Sequence, residues 1–280
     1  MRRTGEPSNQ RLTAESKKRK LLLGVVHLPP LPGSPRGGKA SLEEILAHAR
    51  ADVEALLEAG WDGYVVENFG DAPFFKGPVP SHVIAMLTRL ALLLPSGKGP
   101  DGSNVLRGVN VLRNDAAGAL AVAAAAELDF IRINVHVGAK VTDQGVIEGK
   151  AAETTRLRQV LGAPVELLAD VAVKHAVPLG EAVNLGDEAR ETAYRGLADG
   201  LIVTGKATGS PTALADVRAV KEAVPDRPLF IGSGVTLDTV TELLTIADGV
   251  IVGTALKPGG HPDAPIDRAR ARDLARAVRG

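Results

Sequence analysis

Two glycine-bearing turns near the end of the chain have the composition of an anion site: Gly232-Ser233-Gly234 after one apolar run, and Gly253-Thr254 after the next. Glycine leaves backbone N–H groups uncovered by Cβ atoms, and a following helix N-terminus adds positive potential, so together the turns can hold a phosphate. A second group, Asp170, Lys174 and His175, falls in one short stretch. His175 titrates near neutrality and suits a general acid or base, Lys174 can stabilise an oxyanion or enolate, and Asp170 completes the set. His27 and Glu67 join these three as catalytic candidates. Glu67, Asp71 and His136 are also candidates for holding a metal, since His and carboxylate side chains can converge on a divalent ion. No short ligand motif links them, and a hydrogen-bonded polar network is the alternative. Asn110, Asn134 and Thr204 are short polar residues suited to fixing a sugar or a carbonyl, and are assigned to substrate binding with the glycine turns.

The elements that must position these residues are announced by an internal repeat. Asp followed by Gly or Phe and then mostly branched apolar residues recurs at Asp62-Gly63-Tyr64-Val65-Val66, Asp129-Phe130-Ile131-Arg132-Ile133, Asp199-Gly200-Leu201-Ile202-Val203 and Asp248-Gly249-Val250-Ile251-Val252. Each copy follows an Ala-, Leu- and Glu-rich segment, so each reads as a strand entered from a helix. Four more apolar runs lie between the copies, at 21–28, 106–112, 165–171 and 228–231. Helical patterns fill the intervals at 42–59, 81–94, 116–127, 151–161, 187–197, 212–223, 237–246 and 263–278. Eight strands alternating with eight helices predict a single (β/α)8 TIM barrel, in which strands buried on both faces read as continuous apolar runs. Every candidate above then falls at or just beyond the C-terminal end of a strand, where such barrels carry their chemistry, and the glycine turns fall at the seventh and eighth strands. Segment 136–149 is longer than an ordinary strand-to-helix loop and reads either as a mobile lid or as a static surface loop.

Composition narrows the function classes. The chain has no Cys, which excludes disulfides, thiolate metal sites and Cys nucleophiles. Net charge is zero, yet residues 1–20 hold seven Lys/Arg against Glu6 and Glu15, leaving an acidic balance for the rest. These residues read as a disordered basic tail ahead of a barrel at 21–280, a solvated extension and not a nucleic-acid arm. No apolar run is long enough for a signal peptide or a membrane span, so the expected location is the cytoplasm. The sequence requires no cofactor and leaves a divalent cation open, as it does homo-oligomerisation through the outer helices.

The chain resembles the BtpA/SgcQ family in the segments Gly24-Val25-Val26-His27-Leu28-Pro29-Pro30-Leu31-Pro32-Gly33-Ser34-Pro35, Val66-Glu67-Asn68-Phe69-Gly70-Asp71-Ala72-Pro73-Phe74, Gly108-Val109-Asn110-Val111-Leu112-Arg113-Asn114-Asp115 and Ala169-Asp170-Val171-Ala172-Val173-Lys174-His175-Ala176, and in the closing Gly253-Thr254-Ala255-Leu256-Lys257. The resemblance covers residue 21 to the C-terminus and implies a (β/α)8 barrel, in agreement with the strand count. The family name implies a role in photosystem I biogenesis. Some members carry nucleoside triphosphatase or phosphoribosylanthranilate isomerase labels, but this chain lacks a P-loop and the Cys base that the isomerase typically uses. The expected function is an enzyme, an isomerase or lyase acting by acid/base chemistry on a small phosphorylated metabolite such as a sugar or ribosyl phosphate. The alternative is a non-enzymatic biogenesis or assembly factor for a membrane complex.

Overall fold

Short runs of Val, Ile and Leu flanked by polar turns pack well on a pleated surface covered on both sides, and here they become a closed ring of parallel strands. The computed structural model describes residues 10–37, 40–99, 102–171, 176–179, 184–205 and 212–280. In chain order its strands are β1 (Leu21–His27), β2 (Gly63–Glu67), β3 (Leu106–Asn110), β4 (Phe130–Ile133), β5 (Ala139–Thr142), β6 (Gly145–Glu148), β7 (Glu166–Val171), β8 (Ala176–Pro178), β9 (Gly200–Val203), β10 (Leu229–Ile231) and β11 (Gly249–Val252). The barrel runs β1-β2-β3-β4-β7-β9-β10-β11 and closes where Leu21 of β1 registers with Gly249 of β11. These are the eight strands read from the sequence.

The helices are α1 (Arg11–Ser16), α2 (Leu42–Glu58), α3 (Ser81–Leu93), α4 (Ala116–Ala125), α5 (Ala151–Leu161), α6 (Leu185–Arg190), α7 (Leu214–Ala223), α8 (Val240–Leu243) and α9 (Arg268–Arg279). Local chemistry sets several ends. Ser41 and Glu44 form a reciprocal capping box at the start of α2, and Asp267 caps α9, which begins five residues later than the pattern suggested. One large cluster fills the space between strands and helices, and a second fills the barrel axis with Leu23, Val65, Phe130, Ile202, Phe230 and Ile251 among others.

The repeated Asp closes the floor of the barrel. Oδ2 of Asp62, Asp129, Asp199 and Asp248 accepts the backbone N–H of Leu22, Arg107, Leu167 and Leu229, at 2.7–2.9 Å. Each of the four Asp N–H groups donates back to the carbonyl of the same residue. A carboxylate at the start of every even barrel strand thus ties it to the odd strand before it. Each carboxylate also meets a cation: Arg19 and Arg279 at Asp62, Arg11 at Asp129, Arg158 at Asp199 and Lys221 at Asp248.

Two expectations change. Residues 10–20, placed by sequence in a disordered tail, are ordered, and α1 sits under the barrel with Leu12 fully buried in the axial cluster. Its first N–H groups find an acceptor on a distant strand: Leu12 and Thr13 donate through their backbones to Glu166 at 2.6 and 3.0 Å, and the Thr13 hydroxyl donates to the same carboxylate. Burying Leu12 and anchoring Arg11, Arg19 and Lys20 to the barrel outweighs the charge that made the segment look solvated. Segment 136–149 is not an irregular loop: β5 and β6 form a hairpin extended by β8 into a three-stranded antiparallel sheet. Among the described residues, no helix is long and apolar enough to cross a membrane.

Candidate functional site

Alternation along the strands decides which side chains reach the axis. On β1 the inward series Leu21, Leu23, Val25 ends in His27; on β2, Val65 is followed by Glu67; on β3, Leu106 leads to Asn110. His27 registers with Glu67, and Glu67 with Asn110, so three polar groups stand side by side at the upper rim of an apolar barrel. All three are buried.

Arg132 organises the layer. It rises from β4 with its side chain 2% exposed. Nε and Nη2 donate to the two oxygens of Asp170 at 2.9 and 3.0 Å, and Nη1 reaches Glu67 Oε1 at 3.4 Å. Burial alone would disfavour its charge, but the two carboxylates outweigh burial and push the Arg132 pKa up. Asn134 Nδ2 donates to Asp170 Oδ2 at 3.0 Å, and Asn110 Nδ2 donates to Glu67 Oε1 at 3.0 Å. Asp170 is therefore clamped by a bidentate arginine and an amide, with its side chain fully buried. Arg113, also buried, has its pKa lowered by burial, with Asp170 opposing the shift.

His27 stands across from this cluster. Its Nδ1 lies 3.2 Å from the carbonyl of Pro262, which as a pure acceptor holds the proton on Nδ1. Nε2 faces Glu67 Oε2 at 3.9 Å, and the ring stacks on Phe69 with centroids 4.5 Å apart.

The glycine turns meet these side chains at one cavity of about 150 Å³, lined by His27, Glu67 and Arg132 together with residues 232–236 and 253–255. Gly232 and Gly253 act there through bulk. A Cβ on Gly232 would stand 2.5 Å from Ile202 Cγ2 and 3.1 Å from Arg132 Nη2, and one on Gly253 would stand 2.9 Å from His27 Cε1. Gly234 has φ +69, a conformation that favours glycine. Ser233 Oγ accepts the Gly205 N–H at 2.6 Å, and Thr212 donates to the Ser233 carbonyl at 3.0 Å, fastening the turn after β10 to the segment beyond β9. The backbone N–H groups of Gly234, Thr254 and Ala255 have no hydrogen-bond acceptor among the described residues. Thr204 is buried at the end of β9.

The three metal candidates are not brought together. Asp71 accepts the Leu31 N–H at 2.8 Å and an Asn68 amide hydrogen at 3.0 Å, stapling the proline-rich loop after β1. His136 donates from Nε2 to the Gly196 carbonyl at 2.7 Å, and burial lowers its pKa. Glu67, Asp71 and His136 border three different cavities, and no group of three or more metal-ligating side chains occurs among the described residues. Lys174 and His175 lie outside the described residues.

Arg132 was missed as a site residue, although the repeat flags it. Three residues after the repeated Asp stand Val65, Ile202 and Ile251, all in the axial cluster, and only the second copy puts a cation there. Two residues further on the repeat gives Glu67, Asn134, Thr204 and Gly253, the even-strand members of the rim.

The BtpA family model matches residues 18–280. The chain belongs to the BtpA family. Within it, the chain is 44% identical over 261 residues to the photosystem I biogenesis protein BtpA of Synechocystis sp., covering 92% of this chain and 87% of that one. An uncharacterized protein of Pyrococcus furiosus is 43% identical, with 92% and 94% covered. An uncharacterized mitochondrial protein of Caenorhabditis elegans is 32% identical over 91% of each chain. Among solved structures, this BtpA-family barrel resembles phosphoribosylanthranilate isomerases from Thermotoga maritima and Pyrococcus furiosus, each with a TM-score of 0.53 over 93% of the chain and 99% and 98% of theirs. At 14% and 11% identity these likenesses speak for the fold alone.

Proposed function

We propose that this BtpA-family barrel is an enzyme that binds a small phosphorylated metabolite, a sugar or ribosyl phosphate, and moves protons on it in an isomerisation or a lyase cleavage. The observation that carries the reading is the shared cavity: the glycine turns with unpaired N–H groups and the His27–Glu67–Arg132 cluster line the same space. The phosphate would lie against the N–H groups of Gly234, Thr254 and Ala255, leaving the carbon skeleton to extend toward His27. His27 Nε2, deprotonated because Nδ1 keeps the proton, would take a proton from a carbon beside a carbonyl. The C–H electron pair would move to form a C=C bond while the carbonyl oxygen gains negative charge, which Arg132 would stabilise. The isomerisation is completed when the hydroxyl on the former C–H carbon gives its proton to the oxyanion, its O–H electron pair forming the new C=O, while the C=C electron pair takes up the abstracted proton on the former carbonyl carbon. In a lyase the base takes the proton of a hydroxyl two carbons from the carbonyl instead: the O–H pair forms a new C=O, the C–C bond between them breaks, and its electron pair moves toward the carbonyl to give an enolate that regains the proton on carbon. Asp170 serves here as the residue that aims Arg132, while Glu67 stays next to both Arg132 and His27.

A thermal-shift screen against phosphorylated sugars, with and without divalent cations, tests the reading, because a ligand bound only by the folded state raises its Tm. A rise with a phosphorylated sugar, and its absence with the unphosphorylated parent, is the expected result. No shift with any phosphorylated compound at millimolar concentration would refute it. A second reading, an assembly factor acting through protein contacts, is favoured by the name of the Synechocystis relative and by an exposed row of Val146, Val141 and Val177 across the β6-β5-β8 sheet. Under it the cavity residues can be replaced without loss of function, whereas charges placed on the valine row abolish it.

A further inference from the structure

Resting on the phosphate reading above, we infer that Arg270 makes the cavity selective for a doubly charged phosphate ester over a singly charged anion. Arg270 is the third residue of α9, is exposed, and lines the same cavity as His27. Its Nη1 lies 3.5 Å from the carbonyl of Ala255, the residue whose N–H is unpaired among the described residues. Among the described residues the other cation lining the cavity is Arg132, which keeps N–H donors for an oxyanion but is matched in charge by Asp170 and Glu67, so that cluster brings an incoming anion no net positive charge. The start of α9 cannot supply it either, because Asp267 Oδ1 accepts the N–H groups of Ala269 and Arg270. Arg268, Arg276 and Arg279, on the same helix, pair with Glu58, Asp273 and Asp62, while Arg270 and Arg272 have no carboxylate partner among the described residues, and of these two Arg270 lines the cavity. Backbone N–H groups bring partial charges that serve any oxyanion, whereas a guanidinium adds a full charge and a planar pair of donors matched to phosphate oxygens. An exposed arginine poised over backbone donors therefore distinguishes the second negative charge.

Isothermal titration calorimetry at pH 8 with methyl phosphate, a dianion, and methyl sulfate, its monoanionic counterpart of similar shape, tests this on the full chain. Wild-type protein is expected to prefer methyl phosphate by about tenfold or more, Arg270→Ala to lose about tenfold on methyl phosphate with little change on methyl sulfate, and Arg270→Lys to regain part of the loss. Tm measured alongside reports folding, and should Arg270→Ala lower it, the neutral and similarly sized Arg270→Gln carries the same comparison. An unchanged phosphate-to-sulfate ratio in the folded variant overturns the role of Arg270 and leaves the phosphate reading standing. Wild-type protein that binds neither anion overturns both.

Discussion

Replacing Arg132 by Met exposes how the rim is held together. The substitution leaves an apolar chain in place of the guanidinium, so Asp170, with its fully buried side chain, loses its bidentate partner and Glu67 loses the guanidinium nitrogen 3.4 Å away. Removing one member of a buried pair costs about 3–5 kcal/mol, because the other charge stays behind unpaired. For a chain of this size that corresponds to a fall in Tm on the order of 6–10 °C. Equilibrium urea unfolding followed by far-ultraviolet circular dichroism measures the loss. Adding Asp170→Leu to Arg132→Met should recover a large part of the deficit, since two unpaired groups become two apolar ones. A single variant within 1 kcal/mol of wild type, or a double variant worse than the single one, would refute the reasoning.

Other outcomes follow from the same geometry. Burial pushes the Glu166 pKa up to about 7 from 4.5. Its carboxyl therefore takes up a proton on folding, so the group contributes stability that is complete below 4.5 and is lost as pH rises through 7. Unfolding free energy in urea should fall more steeply from pH 6 to pH 8 in wild type than in Glu166→Gln, and equal falls would contradict this. Leu12→Ala empties the axial cluster from below and should cost about 2–4 kcal/mol of unfolding free energy, measured in urea. Gly253→Ala drives a methyl into the His27 ring and should destabilise by about 1–3 kcal/mol, with a crystal structure showing the imidazole displaced. Nitrogen-15 spectra of the imidazoles should show neutral His27 as the Nδ1–H tautomer, and an Nε2–H tautomer would remove it as the base.

Much of this was legible in the residues. The fourfold Asp repeat announces four of the eight barrel strands, and its physical basis is the reciprocal tie between each carboxylate and the strand before it. The pairing of Gly232-Ser233-Gly234 with Gly253-Thr254 was readable because chain order fixes neighbours in such a barrel, and the two turns do border one cavity. Position in the chain could not show whether side chains converge. Asp71 and His136 stand at strand ends, as Glu67 does, yet their hydrogen bonds turn them toward a loop and a helix end. Asp170 was counted among the catalytic candidates because an acid at a rim is most conspicuous when its partner goes unnoticed, and that partner, Arg132, lies on the neighbouring barrel strand. The basic N-terminal stretch misled for a related reason: Arg11, Arg19 and Lys20 find acceptors just ahead of barrel strands far along the sequence.

That docked stretch also gives the molecule a practical polarity. Leu12 enters the axis from the floor, so Gln10, exposed just before it, lies on the face opposite the cavity. A fluorophore, biotin or solid support attached through a cysteine put at position 10 would leave the mouth pointing away from the surface. Every immobilised copy would then present the cavity to solution in the same orientation.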